Sequence, residues 1–262
     1  MAHVELRNLS KQFTVKVAGK PQLIRALSDV SFDIAQGEIV ALAGPSGCGK
    51  TTALRIIMGL ETASQGSVVV GGKQVSGCGH DRGMVFQHAE LLPWKTAGDN
   101  IRFALSAKGI AEQALDATVD RYLDLVGLRH AKDRRPHQLS GGMRQRIGIA
   151  RALAIDPEVL LMDEPFGALD SQTRENLQLE VLSIHERTRK TIIFVTHDLD
   201  EAVLLADRVV VMSAGRVQDI ISVNVPRPRL DVRAIVASTE FMTKRAVIWG
   251  ALHDAAPVAV VA

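Results

Sequence analysis

The sequence predicts an α/β fold: a mixed sheet with flanking helices, entered through an N-terminal antiparallel β subdomain and interrupted by a helical insertion subdomain. Three observations carry this expectation. Short apolar runs of strand length alternate with helical segments, the pattern of a parallel sheet with crossovers. The first forty or so residues hold strand-like stretches without a helical period. From about Leu91 to Leu153 the apolar spacing becomes that of helices.

Val4–Leu9 and Leu23–Ala35 read as strands, the second partly alternating and closed by Gln36-Gly37. Ile39–Ala43 is a short buried strand running straight into Gly44, and Lys50–Leu60 a helix closed at Gly59. Ser67–Val70 and Gln74–Val75 flank Gly71-Gly72, a pair suited to a hairpin turn. Met84–Gln87 is another short apolar strand. Thr96–Lys108 and Ala111–Val126 read as helices, and Leu115, Val119, Tyr122, Leu123 and Val126 share one face of the second. The core resumes with strand Val159–Met162, helix Ser171–Arg189, strand Thr191–Val195, helix Leu199–Ala206 and strand Arg208–Met212. Arg227-Pro228-Arg229 then interrupts regular structure, and weakly patterned residues follow. The expected organisation is one domain over 1–222, its helical subdomain at about 91–153, and a short extension over 223–262.

Composition narrows the class. The chain of 262 residues is 47% hydrophobic and 23% charged, ordinary for a globular protein. Its 31 basic and 29 acidic residues nearly balance, which argues against nucleic acid as a partner. No run reaches the roughly 18–20 apolar residues that span a bilayer. Met-Ala-His-Val-Glu-Leu-Arg at the start has no basic region followed by an apolar stretch, so export is not expected. Cys48 and Cys78 have neither zinc spacing nor a disulfide framework and read as reduced thiols.

Gly44-Pro45-Ser46-Gly47-Cys48-Gly49-Lys50-Thr51 matches G-x-x-x-x-G-K-[ST] between a strand and a helix, which makes the core that of a P-loop NTPase. Glycines expose amides to phosphates, Lys50 brings charge to the β and γ oxygens, Thr51 can ligate Mg²⁺, and Thr52 follows in the first turn. The loop alone fits kinases, GTPases and motors equally well. Val159–Pro165 is a buried-strand run ending in Asp163 and Glu164. A carboxylate there is costly to desolvate without a positive partner, and Mg²⁺ beside phosphates would be one. Asp163 fits the metal-side acid. Glu164, pointing the other way, fits the group that orients or deprotonates an attacking water. Two surface acids at a strand end would look the same.

Leu139-Ser140-Gly141-Gly142-Met143-Arg144-Gln145-Arg146 places a capping serine before a helix whose first amides lie on two glycines, open to a phosphate. An ordinary capped helix shares that pattern. Gln87 at one strand end and His197 at another are polar residues that, taken singly, are most simply solvated.

In this order, Gly44–Thr51, Gln87, Leu139–Arg146, Leu160–Pro165, Ala168-Leu169-Asp170 and His197 resemble the Walker A, Q-loop, signature, Walker B, D-loop and H-loop of ABC ATPases. The resemblance covers about residues 4–222. It implies ATP and Mg²⁺ as ligands, with Thr51, Gln87 and Asp163 near the metal and Glu164, Gln87 and His197 around the attacking water. It also implies a head-to-tail homodimer in which Ser140, Gly141 and Gly142 face the nucleotide of the other copy. Phe13 stands where the family stacks an aromatic on adenine. Glu90-Leu91-Leu92-Pro93-Trp94 stands where ABC importers receive a helix of the membrane permease.

Leu91–Thr96, Asp99-Asn100-Ile101 and Val225–Arg229 resemble the nitrate/sulfonate/taurine importer group, with Ala97 where that group often has Val. The implied function is an ATP-hydrolysing importer subunit, peripheral at the cytoplasmic face of the inner membrane. Its partners would be permease subunits and, indirectly, a solute-binding protein. A soluble ABC-type ATPase acting on nucleic acid or ribosomes, and a phosphate-loop kinase, are the rival readings. Arg129, Lys132, Arg134, Arg135, Arg144 and Arg146 form a basic run that fits a solvated face or a surface for anions.

Overall fold

The computed structural model describes residues 2–17, 20–167, 169–229 and 231–254. They fall into two compact units, one built up to Gly79 and again from Thr191, the other from His80–Lys190.

In the first unit, β1 (Ala2–Val17) pairs antiparallel with β2 (Lys20–Ala35) on one edge and with β4 (Gln65–Val70) on the other, and β5 (Lys73–Gln74) completes the hairpin. Leu6 lies opposite both Phe32 and Val68, so the alternating apolar residues of three strands meet on one buried face. A second group of strands has the order β10-β9-β3-β8. Here β3 (Ile39–Ala43) runs parallel to both β8 (Thr191–Thr196) and β9 (Arg208–Ser213), while β10 (Arg216–Ser222) returns antiparallel. Every residue of β3 and β8 is buried, as expected of parallel strands covered on both faces. Helix α6 (Leu199–Leu205) supplies the crossover from β8 to β9, while α1 (Lys50–Met58) leads from β3 to the antiparallel strand β4.

In the second unit, β6 (Arg82–Val85) and β7 (Val159–Asp163) pair in parallel, with Val85 opposite Met162. Between them in sequence come α2 (Ala97–Ala107), α3 (Glu112–Leu125) and α4 (Gly141–Ala154), and after β7 comes α5 (Ser171–Thr188). Ile101 and Leu105 of α2, Leu115, Val119 and Leu123 of α3, and Ile147 and Ile149 of α4 are almost fully buried. Thr96 caps α2 by accepting from the Asp99 amide at 3.1 Å. Two short 3₁₀ turns, Arg129–Ala131 and Pro136–Gln138, lead into α4.

The end of the chain is more regular than its sequence suggested. β10 follows β9, and α7 (Val232–Val236) and α8 (Thr239–Asp254) fold in the stretch that showed no clear period. α8 buries Phe241 and Ile248 yet exposes Met242, Val247 and Trp249, so its apolar residues surround the helix and blur the spacing. Arg229 fastens the extension. It is 1% exposed, and its guanidinium donates to Val225 O (2.8 Å), Leu204 O (3.1 Å) and Ala206 O (2.7 Å). Among the described residues no helix is long and apolar enough to cross a membrane.

Replacing Arg229 with Met keeps volume but leaves three buried carbonyls short of a donor. Urea unfolding should show a loss of about 2–4 kcal/mol. An unchanged midpoint would mean that Arg229 does not hold the extension.

Candidate functional site

The phosphate loop joins β3 to α1 through a backbone that only particular residues tolerate. Gly49 has φ +103°, and a Cβ there would lie 2.4 Å from Ala26 O, so glycine is required on both conformational and steric grounds. Gly47 also has a positive φ, and Pro45, Ser46 and Gly47 are exposed. α1 starts without a side-chain cap and without an acid in its first turn. The leading amides, at Lys50, Thr51 and Thr52, therefore form an uncapped anion seat. Lys50 is 5% exposed, and its ammonium donates to Gly44 O at 2.7 Å and Pro45 O at 3.0 Å. Cys48 is equally buried, and desolvation pushes its thiol pKa up against the opposing pull of Lys50.

His197 follows β8 and is exposed. The residues beside it are tightly held. Thr196 Oγ1 donates to the buried Glu201 carboxylate at 2.6 Å and accepts from the Asp198 amide at 3.0 Å. Asp198 caps α6 through the Asp200 and Glu201 amides. Phe13 lies half-buried on β1, opposite Ile24, with the Lys11 ammonium 4.8 Å from its ring centre.

In the second unit β7 ends at the half-buried Asp163, and the chain then turns sharply. Glu164 has φ +45°, a strained conformation for a residue with a side chain. Its Oε2 accepts from Gln87 Nε2 at 3.2 Å. Two residues 77 positions apart in sequence are thus brought into contact. At the start of α4, Ser140 Oγ accepts from the Met143 amide at 3.3 Å, and Ser140 and Gly141 are exposed. The first turn of α4 carries no acid. Gly142 is buried, and a Cβ there would lie 2.3 Å from Thr173 Cγ2. Thr173 is fixed by the Asp170 cap of α5, and that backbone bond holds the Asp170 carboxyl below its ordinary pKa. Ala168 lies outside the described residues.

Several positioning residues escaped the sequence reading. Gln145 donates to Phe86 O at 3.0 Å, and Arg151 donates to Ala89 O at 2.8 Å and Glu90 O at 2.7 Å. Burial lowers the Arg151 pKa, partly countered by Glu90. Gly148, between them, lies beside Ala89. Arg151, a lone charge in the apolar second half of α4, was the available signal. Asn100, fully buried, donates to Leu92 O and Thr96 O and accepts from the Leu92 amide, which fixes the loop after Gln87. On that loop Leu91 and Leu92 are half-buried and Trp94 is 69% exposed. Much of the basic run is neutralised: Arg129 pairs with Asp120 and Asp124, Lys132 with Asp120, and Arg146 with Glu180.

The two thiols should react very differently. Cys48 is buried with a raised pKa, whereas Cys78 is exposed. Iodoacetamide near neutral pH should label Cys78 at least about tenfold faster, because the thiolate is the nucleophile. Equal rates would show that the phosphate loop opens far more than this geometry allows.

Comparison with known proteins places this geometry. Residues 27–167 match the family model described as ABC transporter. An uncharacterised ABC transporter ATP-binding protein of Methanocaldococcus jannaschii is 45% identical over 96% of this chain and 91% of that protein. The nitrate import ATP-binding protein NrtD of Synechocystis is 45% identical over 86% of this chain and 84% of its own length. The bicarbonate transport ATP-binding protein CmpC of the same organism is 42% identical over 94% of this chain but 37% of its own length. Among solved structures, a dimeric ATP-binding cassette in a post-hydrolysis state with ADP and Pi superposes with a TM-score of 0.75 at 32% identity, covering 84% of this chain and 99% of that one. The match in sequence and in fold establishes that the chain belongs to the ABC transporter family, as one of its ATP-hydrolysing cassettes.

Proposed function

We propose that this chain is the ATP-hydrolysing subunit of an importer, and that it works as a head-to-tail homodimer coupled to transport of a small anion such as nitrate, sulfonate or taurine. One observation carries the dimer. Among the described residues, α1 behind the phosphate loop and α4 behind Ser140 are the α-helices with no acid at either the N-cap or the first turn, whereas α5, α6 and α7 are capped by aspartates. In a head-to-tail pair, α1 of one copy and α4 of the other address the same triphosphate.

Lys50 and the loop amides hold the phosphates. Thr51, Gln87 and Asp163 offer hydroxyl, amide and carboxylate oxygens, a donor set suited to Mg²⁺, which would neutralise phosphate charge when bound. Glu164, aimed by its positive φ and held by Gln87, accepts the proton of the attacking water, and His197 steadies that water and the γ-phosphate. Phe13 stacks on the adenine. The exposed Trp94 and its fixed loop suit a docking surface for a permease helix. On this reading the subunit works at the cytoplasmic face of the inner membrane and meets a solute-binding protein only through the permease. Two relatives named for nitrate and bicarbonate transport support a small oxyanion as cargo. Near-neutral charge and a basic run half of which is ion-paired disfavour nucleic acid.

Glu164→Gln should remove the proton acceptor without disturbing binding. Turnover should fall at least about a hundredfold, while ATP and Mg²⁺ should shift the variant from monomer to dimer in size-exclusion chromatography with light scattering. A variant that binds ATP but stays monomeric at saturation would contradict the composite site.

A further inference from the structure

A separate cavity of about 390 Å³ lies within the His80–Lys190 unit and shares no lining residue with the candidate nucleotide site. Its floor is apolar: Leu125 and the nearly buried Tyr122 ring of α3, and Leu153 at the end of α4. Its charged lining is mainly cationic, with Arg121 from α3, Arg187 near the end of α5, and Lys190 set against a single acid, Asp156.

The charges are not equally committed. Lys190 is bound to Asp156 at 2.7 Å, and this bond, helped by Lys108 and Arg121, holds the Asp156 carboxyl below its ordinary pKa. Arg187 is exposed and has no ion pair among the described residues. Arg121 donates to the Tyr122 hydroxyl at 3.2 Å, with its guanidinium 5.0 Å from the ring centre, so the phenol still has its own proton to give. Two guanidiniums and a phenol therefore converge on a concavity floored by leucines. A merely solvated basic face would scatter its charges over convex surface. Planar guanidiniums match oxyanions, and an apolar floor rewards a hydrocarbon body.

We infer that this cavity binds a small organic oxyanion, a carboxylate, sulfonate or phosphate ester carried on an apolar body. Its occupant touches α3, α4 and α5 together, at the end of α4 opposite Ser140.

Tyr122 is the only tyrosine of the chain, so protein labelled with 3-fluorotyrosine reports on the cavity through one ¹⁹F resonance. Benzenesulfonate, titrated into the intact chain, should shift that resonance saturably, with or without ATP. Benzyl alcohol and sodium sulfate, each lacking one half of the chemistry, should bind at least about tenfold more weakly. Arg187→Gln should weaken benzenesulfonate on the order of tenfold. Asp156→Asn should tighten it by freeing Lys190, and asparagine tolerates the positive φ found there. Retained ATP binding verifies that each variant is folded. Absence of a saturable shift, equal affinity in Arg187→Gln, or sulfate matching benzenesulfonate would overturn the inference. So would Arg187-dependent retention on phosphatidylglycerol vesicles without any benzenesulfonate shift, since the cations would then serve a lipid surface.

Discussion

Lys50 is 5% exposed, and the groups that hold its ammonium, the carbonyls of Gly44 and Pro45, are neutral. A buried cation among neutral partners is costly unless an anion joins it, and the surrounding structure is arranged around that requirement. β3 is buried along its whole length, so it delivers the loop at a fixed height. Gly49 lets the backbone pass against Ala26 O, and α1 begins without a cap, leaving its amides pointed where Lys50 already points. Triphosphate binding thus completes a set of interactions that folding leaves short of one negative charge.

A single helix ties together the elements that carry Ser140 and Gln87. α4 presents Ser140 and Gly141 at its first turn, grips Phe86 O through Gln145, lies beside Ala89 at Gly148, and holds Ala89 O and Glu90 O through Arg151. The loop carrying Gln87 and Trp94 is therefore tied to the same rigid element as the serine seat. Glu164, reached by Gln87, is drawn into this linkage through the strained turn that ends β7.

The sequence made some of this legible and hid the rest for physical reasons. The phosphate loop was readable because its glycines and lysine sit at fixed spacing in one local turn. Ser140 was readable in kind, because capping acts over three residues. The Gln87–Glu164 contact was not, since it spans 77 positions and depends on a left-handed glutamate that no local pattern signals. Arg151 carried no local signal of its partners, because its role lies in the carbonyls of Ala89 and Glu90, 62 and 61 positions away. Residues after Val223 showed no period because α8 carries apolar groups around its circumference, and Arg229 looked like loop material although it is almost fully enclosed.

The composite site is tested most directly by cross-linking two differently marked chains. One carries Ser46→Cys in the exposed part of the phosphate loop and the other Ser140→Cys, with Cys48 and Cys78 replaced by serine and with Glu164→Gln to prevent turnover. A short bismaleimide should join the two chains in the presence of ATP and Mg²⁺, with little product when nucleotide is omitted or when Ser140→Cys chains are tested alone. Coupling of Ser140→Cys chains to one another, or mixed coupling that ignores ATP, would show that the two seats do not meet across a shared nucleotide.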